Sequence, residues 1–593
     1  MKLGSPHVLG AMVAAVALTY RLILLRTVLP TTDSDQAVSG IMSLHILQGD
    51  RPVFFYGQSY DGALEQYLTA GVFRLFGTSD FTLRLVPALA STLLAVQLYA
   101  LARRLYGPRV AAVTGLWIAV PPPVLAVWSL AAGAGYIGPT VTGTAMIIIA
   151  IRRWWLQLPR CYDIPALGLL AGLGLWLQPM IVDYYLALAC AGLPLLWGNR
   201  ARLPRLASRR GPVLAACFLV GAAPWLAYVM GHGLTGTVAA LSRPLPAAPL
   251  RDVLHRLVSE SWPVLIGAAQ PTGYPEQFRQ YVYAHPWPYA LALLLLALLA
   301  VRLVLSPHGW PSQARAMIAG LTYADAPLAV LPLVVLGLYL ASDLKNLAWT
   351  TSNPRYLMPL YTAAPYLIAC LLPGVEIPRR TPEPALTLST VAVRSLRPLA
   401  ALIAGVAVAS NAYAEAHIPD LPSGVLPDVA PLAQRLAARG DGAVYGDYWV
   451  IWRIAFAWHE RLIPVDLNGL AVDRRPRGAR YPPYLARAGE VGRWAFIIPR
   501  SRAPSLITLL RRYRVPYQMW RWGTSSLFYY HWDWGQPVVL DGPVRPDVPF
   551  ILAGGRPRRQ LARRPSRRDR SRRLAAPATW PTRRAMPGRG PGA

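Results

Sequence analysis

Residues 31–89 read TTDSDQAVSGIMSLHILQGDRPVFFYGQSYDGALEQYLTAGVFRLFGTSDFTLRLVPAL, and the organisation of the chain turns on this stretch. It is polar and aromatic, with six carboxylates and three arginines set among tyrosines and glutamines, and it lies between two long apolar runs. Before it, residues 8–29 are apolar apart from Arg21 and Arg26; after it, residues 82–103 carry no charge but Arg84 and the closing Arg103. About 20 apolar residues in a helix cross a hydrocarbon core of about 30 Å. Backbone groups in that core must be bonded within the segment, which selects helices. The stretch is therefore read as a loop between two membrane helices.

The same pattern continues outward. Apolar segments at 8–29, 82–103, 110–131, 134–151, 163–181, 184–198, 211–230, 287–305, 326–342, 356–373 and 397–414 predict about eleven transmembrane helices. The 593-residue chain is 54% hydrophobic and only 15% charged, which excludes an ordinary soluble multidomain protein. Its net charge of +31 is not gathered on a nucleic-acid-binding face. Much of it sits in alternate short loops, at Arg103, Arg104 and Arg109, then Arg152, Arg153 and Arg160, then Arg200 to Arg210, and again at Arg379 and Arg380. The positive-inside rule places those loops in the cytoplasm. Residues 30–81 and the part beyond 415 are then outside the cytoplasmic membrane. The four cysteines lie in or beside apolar segments and imply no disulfide framework. Arg21, deep in the first segment, is expected to face a polar cavity or to snorkel outward.

Three regions follow: a transmembrane domain over 1–414 with its loop at 30–81, a small exported α/β domain over 415–550, and an Arg- and Pro-rich tail over 551–593 that reads as disordered. In the second region, Asp428–Arg439 reads as an amphipathic helix, Gly442–Val450 and Trp494–Ile498 as strands, Ser505–Arg514 as a helix and Pro516–Tyr530 as strand pairs.

The chemistry is concentrated in the first loop. Asp33 and Asp35, one residue apart at the membrane surface, can act as a general base or a cation site, and Asp35 can equally cap a helix starting near Gln36. Residues 36–48 and 63–76 predict two amphipathic helices in the interface. Between and beside them, Tyr56, Gln58, Tyr60, Asp61, Glu65 and Gln66 carry hydrogen-bonding groups suited to a sugar, whereas Phe54 and Phe55 suit an aromatic belt. His255 and Glu260 match no metal-ligand spacing and read as residues of a solvated loop. No phosphate-binding glycine loop of the nucleotide-dependent kind is present, which argues against ATP-driven transport and against a soluble nucleotide-sugar enzyme.

The loop resembles the first exported loop of GT-C-fold glycosyltransferases, the superfamily of the protein O-mannosyltransferases, the lipid A aminoarabinose transferase and the RgtA/B/C/D-like bacterial transferases. The resemblance rests on Asp33-x-Asp35-Gln-Ala, on Gly49-x-x-Pro-Val-Phe-Phe-Tyr-Gly-Gln-x-Tyr-x-Gly-x-Leu-Glu65, and on the Phe-Gly-x-Ser and Leu-Arg-Leu that follow. Asn353-Pro-Arg-Tyr-Leu-Met-Pro-Leu-Tyr361 is similar to a segment that opens a late helix in the group, and Tyr448–Phe456 with Arg480-Tyr-Pro-Pro-Tyr484 marks a bacterial branch of it. The chain departs from the group at Gly135-Tyr-Ile-Gly-Pro-Thr140, a turn where relatives carry an acidic residue.

The resemblance implies that an acidic residue at this position, Asp35 or Asp33 with Asp35 preferred, is the catalytic base or orients the acceptor. It implies a polyprenyl-phosphate sugar donor, whose phosphate Arg355, Arg84 and Lys345 are placed to hold. Tyr56, Gln58, Tyr60 and Glu65 would shape the sugar or acceptor site. A divalent cation is compatible with this chemistry but is not demanded by any residue. The implied function is transfer of a hexosyl or pentosyl group to a lipid, glycan or protein acceptor on the outer face of the membrane, without nucleic acid as a partner. The alternatives are a transporter or flippase of lipid-linked glycans and a non-catalytic membrane scaffold. A flippase would place its polar groups in paired broken helices near the midplane rather than in a loop.

Overall fold

A computed structural model describes residues 6–198 except Ala134, then 203–233, 249–269, 324–341, 353–371, 397–418, 429–446, 448–466, 480–491 and 494–498, with short pieces of 284–297 and 507–540. The chain opens with α1 (Pro6–Thr27) and passes through the loop helices α2 (Ser34–Gln48), α3 (Leu64–Phe76) and α4 (Asp80–Leu83). Next come α5 (Leu85–Tyr106), α6 (Pro108–Ala119), α7 (Pro123–Leu130), α8 (Ile137–Ala150, extended by a π-turn at Ile151–Trp155), α9 (Asp163–Leu177), α10 (Ile181–Gly198) and α11 (Leu203–His232). After these lie α12 (Leu250–Arg256), α13 (Trp262–Leu265), α14 (Ala326–Ala341), a 3-10 segment at Asn353–Ala363, α15 (Ala364–Leu371) and α16 (Arg397–Ala416).

The architecture is that of a polytopic helical membrane protein. Among the described residues three helices are long and apolar enough to cross a membrane, namely His7–Thr27, Leu85–Tyr106 and Arg210–His232. The pair α6 and α7, bent by 62° at its break, makes a fourth if it counts as one span. Shorter apolar helices occupy Asp163–Leu177, Ile181–Leu196 and Ala326–Ala341. Described helices overlap ten of the eleven expected segments, though only the three long helices and the bent pair named above are long and apolar enough to span; the segment 287–305 lies mostly outside the described residues, and Lys345 and the tail lie wholly outside them.

The break between α6 and α7 follows from three consecutive prolines. Pro121, Pro122 and Pro123 have no N–H, so the carbonyls four residues earlier lose their helical donors. Arg21 replaces them. It is only 1% exposed, and it donates to Ile118 O at 3.0 Å and Ala119 O at 3.2 Å. Its remaining bonds go to Ala17 O and to the Ser91 hydroxyl. Asn411 on α16 completes the repair by donating to Val120 O at 2.8 Å. Arg21 therefore points inward to a polar knot of backbone, with Glu415 within electrostatic reach, and does not snorkel. Arg26, one and a half turns later, is exposed and lies over the Phe81 ring.

Helices α9 and α11 approach closely because glycines face each other. A Cβ at Gly172 would stand 2.0 Å from the Phe218 carbonyl oxygen, one at Gly168 2.4 Å from Leu214 O, and one at Gly221 2.3 Å from Leu169 O. Lipid offers no hydrophobic drive for helix pairing, so close backbone packing of this small-xxx-small kind has to supply the attraction.

Beyond α16 the chain forms α17 (Ala430–Ala438), β1 (Ala443–Gly446), α18 (Tyr448–Ala457), β2 (Ile463–Asp466), α19 (Pro483–Gly489), β3 (Trp494–Ile498), β4 (Tyr517–Met519), β5 (Ser526–Leu527), β6 (Trp532–Asp533) and β7 (Gln536–Leu540). The five-stranded sheet has the order β2-β1-β3-β7-β4. Its β1 pairs in parallel with β2 and β3, and β7 pairs antiparallel with β3 and β4. The strand expected over Gly442–Val450 ends at Gly446; from Tyr448 the chain is helical. The expected helix Ser505–Arg514 lies mostly outside the described residues.

The first loop and this sheet unit share one hydrophobic core, in which Val38, Ile41 and Met42 of α2 meet Ile451, Trp452 and Phe456 of α18. A Cβ at Gly40 would fall 2.3 Å from the Phe456 ring, so glycine is what lets α18 lie against α2. This contact corrects the expectation of an interfacial amphipathic α2: nearly every residue from Ser34 to Ile46 is buried. The second loop helix, α3, keeps a one-sided character, with Leu68, Leu75 and Phe76 exposed.

Candidate active site

The end of α1 and the start of α2 place the two aspartates differently. Asp33 is the N-cap of α2: its backbone is extended, and its carboxylate accepts from Gln36 N at 2.8 Å. That bond satisfies one of the free N–H groups of the first turn. Burial and the neighbouring Asp35 push its carboxyl up to about 6. Asp35 falls inside the first turn, where the helix dipole favours negative charge. Capping is thus done by Asp33, and the side chain of Asp35 remains 37% exposed.

The partners of Asp35 come from the far end of the chain. Its Oδ1 accepts from Arg480 Nη2 at 2.7 Å and from the Tyr448 hydroxyl at 2.5 Å. The Arg480 Nε also donates to the Tyr448 oxygen at 2.9 Å, and its Nη1 donates to Tyr56 O at 3.3 Å. The guanidinium sits over the rings of Phe55 and Tyr448, each at 5.4 Å. Both bonds to Asp35 fall on one oxygen, and Oδ2 has no hydrogen-bond partner among the described residues.

Gln58 extends this network. Oriented to satisfy both of its neighbours, its amide oxygen accepts from Arg480 at 2.8 and 3.2 Å and its nitrogen donates to Asp61 Oδ2 at 2.5 Å. Asp61 is buried, and burial pushes its carboxyl up to about 8 against the opposing pull of Gln178 and Arg480. It faces Gly135, where a Cβ would lie 3.4 Å from Asp61 Oδ1. Glu65, in the first turn of α3, accepts from the Gly133 backbone N–H, and burial raises it to about 7. The turn at 133–135, which lacks an acidic residue of its own, thus receives two carboxylates from the first loop. Its glycines have φ values of +74° and +70°, a region where side chains are strained.

Arg355 stands on the same side as Asp61. It comes from the 3-10 segment that Pro354 and Pro359 punctuate, and it lies in an aromatic cage of Trp128 at 4.7 Å, Tyr356 at 4.9 Å and Tyr136 at 5.9 Å. Tyr136 is within electrostatic reach of both Arg355 and Asp61, so cation and carboxyl flank one ring. Arg84 is placed otherwise. Only 2% exposed, it donates to the carbonyls of Leu29, Pro30, Thr31 and Asp80, and so clamps the chain leaving α1.

The tyrosines also separate. The Tyr56 hydroxyl meets His45 Nδ1 at 3.0 Å, in an aromatic seam with Tyr481 and Tyr484 in which His45 Nε2 pairs with Glu460 at 2.7 Å. That seam joins loop to sheet unit, and the Tyr56 hydroxyl in it also donates to Asp50 Oδ2 at 3.4 Å, whereas Tyr60 lies within electrostatic reach of Arg480. The structure therefore gathers Asp35, Gln58 and Tyr60 around Arg480 and sets Glu65 and Arg355 nearby. Arg84 and the Tyr56 hydroxyl lie elsewhere, and Lys345 is outside the described residues. Sequence reasoning missed Arg480, Tyr448 and the central place of Asp61. The signal available was the pairing of Tyr448–Phe456 with Arg480–Tyr484, which reads as a branch marker until the contact is seen. Among the described residues no group of three or more histidine, cysteine, aspartate or glutamate side chains is placed to hold a metal ion.

Comparison with known proteins bears on this arrangement. The sequence model of a family described as dolichyl-phosphate-mannose-protein mannosyltransferase matches residues 62–228. No curated protein matches the sequence. Among solved structures, ArnT from Cupriavidus metallidurans bound to undecaprenyl phosphate superimposes with a TM-score of 0.56 at 14% identity, over 91% of this chain and 98% of that one. The same protein in the apo state gives 0.56 at 15% identity, over 93% and 99%. The fold is the GT-C fold of membrane glycosyltransferases.

Proposed function

We propose that the chain is a membrane glycosyltransferase that moves a sugar from a polyprenyl-phosphate carrier to an acceptor on the outer face of the cytoplasmic membrane. The observation that carries this reading is the state of Asp35. One carboxylate oxygen is fixed by Arg480 and Tyr448, and the other is left for a substrate, at the first loop of a GT-C fold. The donor class rests on the mannosyltransferase family match and on the undecaprenyl phosphate bound by the similar ArnT.

In this reading Asp35 Oδ2 takes the proton of the acceptor hydroxyl. The acceptor oxygen attacks the anomeric carbon, and the bond from that carbon to the phosphate oxygen breaks with its electron pair going to the phosphate. The displacement inverts the anomeric centre. Arg355 stabilises the charge developing on the departing lipid phosphate, and its aromatic cage keeps it aimed and partly desolvated. Asp61, Glu65, Gln58 and Tyr60 border the sugar, the two carboxyls as neutral donors as well as acceptors where burial keeps them protonated. Arg84 serves by positioning the segment that carries Asp33 and Asp35. The sheet unit over 415–550 is the exported domain and helps to complete the site by supplying Arg480 and Tyr448.

The test is turnover of polyprenyl-phosphate-linked sugars by the purified chain in lipid, read as release of free polyprenyl phosphate. Release with at least one donor supports transfer. Movement of an intact lipid-linked glycan across the bilayer, with no release from any donor, would show a flippase instead.

A further inference from the structure

A second charged constellation lies at the opposite end of α5 from the candidate active site. The 22 residues of α5 make about 33 Å of helix, roughly the thickness of a hydrocarbon core. There, the π-turn at Ile151–Trp155 adds a residue to the end of α8, and two consecutive arginines converge on one carboxylate. Arg152 bonds Asp163 Oδ1, and Arg153 lies 3.7 Å from Oδ2. The Arg160 backbone N–H closes on the same Oδ2 at 2.8 Å. Asp163 is completely buried, so this pairing fixes the 151–163 hairpin.

The carboxylate is consumed by these contacts, and the outer guanidiniums are left over. Arg160 is exposed, bonds the Tyr162 hydroxyl through Nη1, and shares the Tyr162 ring with Arg152 at 5.7 and 5.4 Å. Arg104, exposed in the last turn of α5, lies within electrostatic reach of Arg152 and Arg160, like charge against like, and Arg210 opposes Arg153 in the same way. Neither Arg104 nor Arg160 forms an ion pair with a carboxylate among the described residues. Five guanidiniums around one buried aspartate call for further anions. The flanking surface indicates which kind. Trp154, Leu158 and Tyr162 are 42%, 52% and 47% exposed beside the arginines, the mixture of aromatic and apolar groups that settles at the depth of lipid headgroups.

We propose that Arg104 and Arg160, held on the Arg152–Arg153–Asp163 hairpin, bind the phosphate headgroup of an anionic phospholipid. The phosphodiester oxygens accept from the two exposed guanidiniums, and the acyl chains descend beside Trp154 and Leu158. The proposal does not depend on what the opposite face of the protein catalyses.

The test is native mass spectrometry of the full chain in neutral detergent, titrated with phosphatidylglycerol or phosphatidylcholine. Three proteins are compared: wild type, Arg104→Gln with Arg160→Gln, and a control of matched charge, Arg26→Gln with Arg74→Gln, whose residues are exposed and lie at the other end of the bundle. Thermal unfolding checks that all three are folded. Each basic group near an anionic headgroup is worth about fivefold in affinity, so the first double variant should bind phosphatidylglycerol about twenty-five-fold more weakly while the control binds like wild type. Phosphatidylcholine should not be retained by any of them. Equal phosphatidylglycerol affinity in all three proteins, or equal retention of the two lipids, overturns the proposal. Displacement of phosphatidylglycerol by millimolar inorganic phosphate overturns it as well, because the site would then take a free anion.

Discussion

Replacing Arg480 tests how the sheet unit reaches the chemistry. Arg480→Ala removes the 2.7 Å bond to Asp35, the 2.9 Å bond to Tyr448 and the contact with the Gln58 amide. A charge-assisted hydrogen bond contributes about 1.5–3 kcal/mol. The Asp35 side chain is 37% exposed, so solvent screening reduces this to about 1–2 kcal/mol. Lost orientation of that size corresponds to a fall of about 5- to 30-fold in kcat/KM at 1.4 kcal/mol per decade. Arg480→Lys keeps one charge but loses the fork that reaches Asp35 and Tyr448 together, and should fall between alanine and wild type. The assay is release of polyprenyl phosphate by wild type, Arg480→Ala, Asp35→Asn and the double variant, with thermal unfolding to confirm folding. If Arg480 acts through Asp35, it costs little more once Asp35 is asparagine. Full additivity of the two losses in the double-mutant cycle refutes the reasoning.

Other consequences concern the scaffold. Burial holds the carboxyls of Asp61 and Glu65 up near 8 and 7, so between pH 4 and 8 the folded protein binds more protons than the unfolded chain. Its stability therefore falls as pH rises through that window, and Asp61→Asn flattens the fall; unfolding temperatures in detergent from pH 5 to 9 check this, and a wild-type stability that climbs from pH 5 to 8 contradicts it. Gly172→Val drives a side chain into the Phe218 carbonyl and should lower stability by about 1–3 kcal/mol, whereas Gly192→Ala, in open space, should be close to neutral. Arg21→Met strips the donors from the Ile118 and Ala119 carbonyls and should cost about 3–5 kcal/mol in an unfolding titration, with no effect expected if the α6–α7 break were satisfied in some other way.

The elements legible in the sequence were those written in local pattern. The apolar segments, the polar loop at 30–81 and the strand at Trp494–Ile498 all follow from runs or spacing within a few residues, whereas the segment expected as one helix over 110–131 is bent by 62° at its prolines. Tyr448-Trp-Val450 misled because aromatic and β-branched residues favour strands in isolation, while in the fold these residues open a helix whose Phe456 packs on Gly40. Residues 34–46 look half-polar only if serine, glycine and histidine are counted as solvent-facing; in the fold they are small or hydrogen-bonded groups under α18. Asp35 was identifiable from its motif, but the contact with Arg480 joins positions 445 residues apart and leaves no periodic trace. The repair of the α6–α7 break by Arg21 is hidden for the same reason, since the prolines show that donors are missing but not which residue supplies them.

The central claim is that Asp35, and not its neighbour, does the chemistry. The direct measurement is turnover of a polyprenyl-phosphate-linked sugar by Asp35→Asn and Asp33→Asn beside wild type, at matched folding. Asparagine caps a helix about as well as aspartate, so Asp33→Asn should keep activity within about tenfold. Asp35→Asn removes the base and should lower kcat by about a hundredfold or more. Abolished turnover in Asp33→Asn with Asp35→Asn close to wild type would contradict the account.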